Sequence, residues 1–428
     1  METIVKLKAN KLQSLTVVVA ALWIVAQIVI LVLGWNHTLQ PDSVEYTTNA
    51  KFSYEHGVLY PSIYNLYDRF THAPGLVNYL IVVYAIFGTF KAAMILNLLM
   101  NVAILYEVYY VAKFFFTQKV ACVSVVLYCI MIVPLFVPMH ILSDHPSYFL
   151  FLTGFCLSLH KKWYWVVLAG VCYALSYTIR PTVLAFLVAS VVFLVVNRKS
   201  YRYYLYLLVP YIGILFGIGK YFEKKIGIYT NTSYISGYGM MHSANEKTWA
   251  GPDMSFDGDP QNSGYIANAN KLTFAEKDSI WKARAIQWIK DNPKRYLQLA
   301  PQRFFRSYAL DYWSLQDAFE DHQYENAIHS SNPEKALRDL RLKQMMVSIP
   351  YYWVLILFVI ALIINRRRIF TSKGIILIIS ALYTGTTFFL LAEHRTHYAF
   401  LFPMVIWAAF GVTEYYAKLS KMRSKQCI

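Results

Sequence analysis

Polar motifs that contain carboxylates, arginines and histidines lie between long apolar segments of the chain. The side chains of interest are Asp42, Glu45, Tyr46, His72, Asp144, His145, Arg180, Glu393, His394, Arg395 and Tyr398. A carboxylate can act as a general base on a hydroxyl group. An arginine can hold a phosphate through paired, charge-assisted hydrogen bonds and can stabilise the charge that develops on a phosphate leaving group. Such a set suits the transfer of a sugar from a lipid-phosphate donor.

The segments between these motifs have the length and composition of membrane-spanning helices. Of the 428 residues, 57% are hydrophobic and 15% are charged, whereas soluble domains contain about 25% charged residues. A hydrocarbon core of about 30 Å requires about 20 apolar residues in each spanning helix. We therefore predict about ten such helices. They lie at about 12–34, 92–112, 120–139, 146–160, 163–179, 181–197, 203–222, 346–364, 374–392 and 397–416.

The distribution of basic residues predicts the orientation of these helices. The net charge is +16, and the lysines and arginines cluster beside the ends of apolar segments. Basic flanks are typical of cytoplasmic loops. This rule places both termini in the cytoplasm, together with Lys113 and Lys119. The number of membrane crossings allows that only if the apolar stretch from Pro74 to Phe90 does not cross the membrane. We expect that stretch to lie along or dip into the outer face; an ordinary span with one misplaced loop is the alternative.

This topology divides the chain into three parts and places the polar motifs on one face. The first part, 1–222, is a transmembrane module whose outer loop, 35–91, is the predicted catalytic loop. The second, 223–345, is a nearly neutral, mostly helical extracytoplasmic domain, and 346–428 forms the C-terminal transmembrane helices. Apolar spacing predicts a helix from Phe274 to Ala300 that Pro293 breaks. The expected protein is an all-α, multi-pass plasma-membrane protein with an extracytoplasmic active site.

Several other classes are disfavoured by the same features. The soluble stretches contain no basic stripe with interleaved aromatic residues, so we expect no nucleic-acid partner. The five cysteines show neither a metal-binding spacing nor a disulfide framework. The first apolar segment lacks a small-residue cleavage site, so we expect it to be a retained anchor.

Local sequence also predicts how some of the polar residues are held. A helix that begins at Ser43 would place Asp42 at its N-cap, with Glu45 on roughly the same face. A plain capping role for Asp42 is the alternative. Arg180 precedes Pro181 at the tip of a tight hairpin, where it either faces the site or extends to the membrane surface. The segment from Glu393 to Tyr398 either joins the site or is a solvated turn.

At these motifs the chain resembles the GT-C superfamily of glycosyltransferases. The branch it resembles is the protein-mannosyltransferase-like one, that is, family 39 and its aminoarabinose-transferase relatives. The matching motifs are Asp42-Ser43 with Tyr46, His72-Ala73-Pro74-Gly75, Asp144-His145-Pro146, the hairpin from Leu175 to Pro181, and Glu393 with Arg395 and Pro403. They occur in the family's order and, with the predicted topology, on the expected side.

The resemblance implies roles for these residues. Asp42 would be the general base, and Arg180 and Arg395 would bind the lipid phosphate. Asp144, the second predicted catalytic residue, would position the substrate with His145 and Glu393. The further candidates for substrate or lipid-phosphate binding are Glu45, Tyr46, His72, His394 and Tyr398.

Departures from the family pattern bear on metal dependence. No second acid follows Asp42 directly, and no additional acid stands beside Asp144. We therefore do not expect an obligatory divalent metal, although Asp42, Asp144 and His145 could form a weak site.

The predicted activity is an inverting transfer of a sugar from a polyprenyl-phosphate donor to a glycan, lipid or protein acceptor. One alternative is a transporter or flippase of lipid-linked sugars, which would bury ionisable residues within its spans. Glu107 is the main residue of that kind here. Another alternative is a polysaccharide polymerase or ligase that uses diphosphate-linked glycans. The sequence leaves the sugar and the acceptor open.

Overall fold

The computed structural model describes residues 2–36, 40–197, 199–249, 255–319, 323–389 and 394–426. Within these ranges the chain is helical, and extended pairing is confined to an isolated antiparallel bridge between Thr71 and Tyr234. The predicted all-α architecture is therefore confirmed for the described residues.

The N-terminal part is a bundle of long apolar helices and shorter ones. Its helices are α1 (Glu2–Leu33), α2 (Pro41–Glu55), α3 (Pro74–Phe87), α4 (Ala92–Phe115), α5 (Gln118–Cys129), α6 (Ile132–Phe136), α7 (Asp144–Ser158), α8 (Trp163–Ile179), α9 (Leu184–Val196) and α10 (Tyr201–Ile226). The helix α3 has 14 residues, which is shorter than the roughly 20 that a bilayer core requires. It packs against α2 and α8.

Some of the helices are long and apolar enough to cross a membrane. In the described residues these are Lys11–Leu33, Ala92–Phe115, Tyr201–Ile226 and His397–Leu419. Two bent pairs would raise the number from four to six, one bent by 70° between Cys129 and Ile132 and one by 56° between Val347 and Ile349. The other predicted spans correspond to shorter helices. The number of about ten spans therefore stays a prediction, as does the side of the membrane on which the termini lie.

The region between the two groups of long helices has a small hydrophobic core of its own. Its helices are α11 (Ser236–Ser243), α12 (Phe274–Asp291), α13 (Pro293–Gln298), α14 (Ala300–Tyr308), α15 (Trp313–Phe319), α16 (Gln323–Ile328) and α17 (Pro333–Val347). Thr273 and Glu276 form a reciprocal capping box that starts α12. The break at Pro293 is where the sequence predicts it. Tyr238, Phe256 and Trp281 pack together at the centre of this core.

Three C-terminal helices complete the fold: α18 (Ile349–Ile364), α19 (Ile375–Phe389) and α20 (Leu401–Gln426). Every residue from 401 to 410 is buried, and α20 packs against α5 and α18. A helix that is apolar on all sides belongs at the centre of a bundle. The 3₁₀ stretch His394–Phe400 leads directly into α20. The buried helix α20 therefore supports the 3₁₀ stretch.

Candidate functional site

Two arginines and two aspartates from four separate segments form one group, which we call the charged cluster: Asp42, Asp144, Arg180 and Arg395. Arg180 Nη1 contacts Asp144 Oδ1. Arg395 Nη1 donates to Asp42 Oδ2 at 2.8 Å and lies 4.0 Å from Asp144 Oδ2. The charges therefore alternate along a continuous chain of contacts.

Each member of the charged cluster is held at the end of a helix. Asp42 is the second residue of α2, which begins at Pro41 rather than at Ser43, so Asp42 is not the N-cap. Asp144 is the first residue of α7, where the positive end of the helix dipole favours a carboxylate. Arg180 has extended backbone between α8 and the 3₁₀ turn that starts at Pro181, as expected of a residue before proline.

Asp144 differs from Asp42 in its surroundings. The Asp144 side chain is 4% exposed, whereas that of Asp42 is 43% exposed. Asp144 Oδ2 is buried and makes no hydrogen bond with a described residue. A buried oxygen without a partner is costly, and such atoms are found at functional sites. Asp144 thus has one oxygen committed to Arg180 and one that faces Arg395 without a hydrogen bond.

Three further predicted site residues adjoin the cluster. His72 Nε2 lies 2.9 Å from Glu45 Oε2, and the His72 ring packs edge-on against Tyr46 with centroids 4.8 Å apart. Burial and, secondarily, the charge of Asp42 raise the pKa of the buried Tyr46 hydroxyl. That hydroxyl therefore stays protonated and can donate a hydrogen bond.

The segment that carries His72 is tied to α3 by partly buried hydrogen bonds through Tyr60. The His72 N–H donates to the Tyr60 hydroxyl at 2.9 Å, and burial raises the pKa of Tyr60. The Asn78 side chain bonds both the N–H and the carbonyl of Tyr60, at 3.0 and 2.7 Å. At the start of α3, a Cβ on Gly75 would lie 2.1 Å from Thr178 Oγ1. Glycine at this position lets α3 approach the last turn of α8 at Thr178, two residues before Arg180.

His145 and Tyr398 pack behind the cluster rather than in the open part of the site. His145 Nδ1 lies 2.9 Å from the Tyr398 hydroxyl, and Nε2 lies 2.9 Å from the Asn97 carbonyl. Both side chains are buried. Their contribution to substrate binding stays a prediction.

The weak metal site suggested by Asp42, Asp144 and His145 is not assembled. Both ring nitrogens of His145 face partners other than these carboxylates. In the described part of the chain, no three His, Cys, Asp or Glu side chains are grouped to hold a metal ion. Asp42 and Asp144 instead share Arg395.

One predicted residue is not described by the structure, and another is described only in part. Glu393 lies outside the described residues. His394 is described only as the first residue of the 3₁₀ stretch that also carries Arg395.

A buried pair that sequence motifs do not indicate lies close to Arg395. His397 Nε2 is 3.1 Å from Asp311 Oδ1, and both side chains are 0% exposed. Asp311 Oδ2 accepts from the N–H of Ile132 at 2.9 Å. Asp311 stands between apolar residues in a region that shows no motif, so only the three-dimensional contacts reveal it.

The arrangement of helices around this site is similar to that of an archaeal oligosaccharyltransferase. Comparison with the apo enzyme from Archaeoglobus fulgidus gives a TM-score of 0.52 at 10% identity, covering 96% of this chain and 52% of that one. AglB from Archaeoglobus fulgidus, solved in complex with an inhibitory peptide and a dolichol-phosphate, gives 0.53 at 11% identity, covering 97% and 52%. The chain has a GT-C fold.

The similarity concerns the fold. The chain spans about half the length of each of these structures. Its sequence matches no family model and no curated protein sequence. The mannosyltransferase-like branch therefore stays a prediction from the motifs.

Proposed function

We propose that the protein is an inverting glycosyltransferase that transfers a sugar from a polyprenyl-phosphate donor to an acceptor on the extracytoplasmic side. The observation that carries this proposal is the convergence of Asp42, Asp144, Arg180 and Arg395, from four separate segments, into one chain of contacts at helix ends. The GT-C fold supports it, as does the dolichol-phosphate in the AglB complex. A polyprenyl chain would remain in the bilayer while its phosphate meets the arginines.

Asp42 is the general base in this proposal because it is the more accessible carboxylate. Its side chain is exposed, and among the described residues its ion pair is with Arg395. Asp144 is 4% exposed and contacts Arg180, which suits a residue that orients the arginines. A base must reach the acceptor hydroxyl directly, and burial prevents Asp144 from doing so.

The donor phosphate would change the pairing within the charged cluster. A phosphate that binds Arg395 competes with Asp42 for the same guanidinium and so releases the Asp42 carboxylate. Asp42 then takes the proton of the acceptor hydroxyl as the acceptor oxygen attacks the anomeric carbon. The bond from this carbon to the phosphate oxygen breaks on the opposite face, and the phosphate leaves with the electron pair. Arg180 and Arg395 stabilise the charge that develops on it.

The test of this proposal is the substitution Asp42→Asn, with Glu55→Gln at the exposed end of the same helix as the matched control. Transfer from a panel of undecaprenyl-phosphate-linked hexoses and pentoses is measured in proteoliposomes. We expect Asp42→Asn to lower the transfer rate by about 10²–10⁴-fold and to retain binding of decaprenyl phosphate. Undiminished turnover by the folded Asp42→Asn protein would refute the role of Asp42.

The alternatives make different demands on the chain. A transporter of lipid-linked sugars would centre on Glu107, whose Oε1 accepts a hydrogen bond from Thr153 at 2.5 Å inside the bundle. The charged cluster, by contrast, lies at helix ends, which suits a surface reaction. A polymerase or ligase would need a diphosphate-linked glycan donor, and the donor panel separates it from the proposed enzyme.

A further inference from the structure

A cavity of about 260 Å³ lies between the first outer loop and the region of helices α11–α17. Tyr67 and Arg69 line it from the loop, and the other side is formed by Asp257, Asn270, Lys277 and Trp281. It is slightly smaller than pockets for drug-sized ligands, which begin at about 300 Å³. Its size therefore suits a single ring-sized unit rather than a long chain.

The wall of the cavity includes a buried cation with donor capacity to spare. Lys277 is 3% exposed, and its Nζ donates to the carbonyls of Tyr67 and Asp68 at 2.8 and 3.0 Å. An ammonium group has three N–H donors. The third has no hydrogen-bonding partner among the described residues. A buried donor without a partner is costly, so a ligand oxygen in the cavity would be stabilised there.

The other lining groups combine the exposed ring of Tyr67 and the buried ring of Trp281 with polar atoms of both kinds. Trp281 is 1% exposed with its indole N–H donated to Gly264 at 2.9 Å, so its ring is held rigidly. Tyr67 is 59% exposed at the mouth. The Asn270 amide makes no hydrogen bond within the described residues, and Asp257 is paired with Arg69. A pyranose, with its C–H face and rim of hydroxyls, matches this mixture.

The cavity and the charged cluster share one segment of chain. Two residues after Arg69, Thr71 pairs with Tyr234, whose N–H donates to Thr71 Oγ1 at 3.1 Å. Phe70 lies edge-on to His72 with centroids 5.2 Å apart. A ligand held by Tyr67 and Arg69 would therefore be bound by the segment that leads directly to the proposed active site.

We propose that this cavity is a saccharide-binding subsite, which holds one sugar unit of a glycan acceptor. Its role in acceptor docking rests on the proposed function, whereas saccharide binding itself does not. The nearly balanced charges of Arg69, Lys277, Asp257 and the neighbouring Asp68 favour a neutral sugar.

The test is saturation-transfer NMR on the protein in nanodiscs, with the methyl glycosides of glucose, galactose, mannose and N-acetylglucosamine as probes. We expect at least one of them to receive saturation at its ring C–H protons. Tyr67→Ala should weaken its binding about 3- to 10-fold, and Asn270→Ala by a smaller factor. Tyr324→Ala, which removes a tyrosine of similar exposure (55%) elsewhere, is the matched control and should bind as the wild type does.

Exposed residues are chosen because a Lys277 variant would leave two backbone carbonyls unpaired and could fail to fold. The proposal is overturned if no probe receives saturation, or if Tyr67→Ala and Asn270→Ala bind as tightly as the wild type. It is also overturned if Tyr67→Ala weakens decaprenyl phosphate binding to the same degree, since the defect would then be general. Full transfer by Asp42→Asn together with Tyr67-dependent saccharide binding would refute the proposed catalysis and leave the subsite standing.

Discussion

Replacing Asp311 with alanine tests how the 3₁₀ stretch that carries Arg395 is held in place. One oxygen of this buried carboxylate contacts the His397 ring at 3.1 Å. The other accepts from the N–H groups of Ile132 and Val133 at 2.9 and 3.4 Å. These N–H groups open α6 just after the 70° bend, where a helix has no internal acceptors for them. Asp311 thus joins α6 to the 3₁₀ stretch that carries Arg395.

The magnitude follows from the partners that alanine would strand. Each buried donor left without an acceptor costs about 1–3 kcal/mol, and breaking a buried ionisable pair typically costs about 3–5 kcal/mol. We expect Asp311→Ala to lose about 3–5 kcal/mol of stability. Asp311→Asn keeps an oxygen for the Ile132 N–H and offers an amide donor to His397, so its loss should be about 1 kcal/mol.

The measurement is the apparent melting temperature in nanodiscs, together with decaprenyl phosphate binding. We expect Asp311→Ala to melt about 5 °C or more below the wild type and to bind the phosphate more weakly because Arg395 is displaced. Asp339→Ala, at an exposed aspartate of α17 (55% exposed), is the control. Equal melting of the Asp311→Ala and Asp339→Ala proteins would refute the reasoning, as would equal losses in Asp311→Ala and Asp311→Asn.

Two substitutions, each with a matched control, test the placement of α3. Gly75→Ala would put a Cβ 2.9 Å from the backbone carbonyl carbon of Thr178. We expect this variant to lose about 1–3 kcal/mol of stability, which a lower melting temperature would show. Gly213→Ala is the control and should not destabilise the protein, because a Cβ there meets nothing within 4 Å. Thr89→Cys should react with a membrane-impermeant maleimide outside intact cells and Lys119→Cys should not; protection of Thr89→Cys would show that α3 crosses the membrane.

Much of the charged cluster can be predicted from sequence because its members flank apolar segments. The parity of those segments places Asp42, Asp144, Arg180 and Arg395 on one predicted face, and the structure brings all four into contact. Arg180 is paired with Asp144 rather than extended to the membrane surface. Helix ends next to proline, such as the break at Pro293, are likewise accessible from sequence.

Features that depend on distant parts of the chain could not be predicted in this way. The stretch 120–139 is predicted as a single span, yet it bends by 70° between Cys129 and Ile132. Its freed N–H groups are satisfied by Asp311, 179 positions from Ile132. The pairing of Asp311 with His397 is likewise set by tertiary packing. Local propensity carries no information about such contacts.

The helix α2 begins at Pro41, whereas the sequence predicts a start at Ser43. This difference matters for the proposed chemistry. An N-cap aspartate accepts a hydrogen bond from a backbone N–H in the first turn, and its carboxylate would be committed to that role. In the structure Gln40 is the N-cap and Pro41 is the first residue of the helix. Asp42 is therefore not needed as a cap. Its carboxylate can pair with Arg395 and can be released when that arginine binds an anion. A shift of the helix start by two residues thus changes Asp42 from a structural cap into a carboxylate that is available for the proposed role of general base.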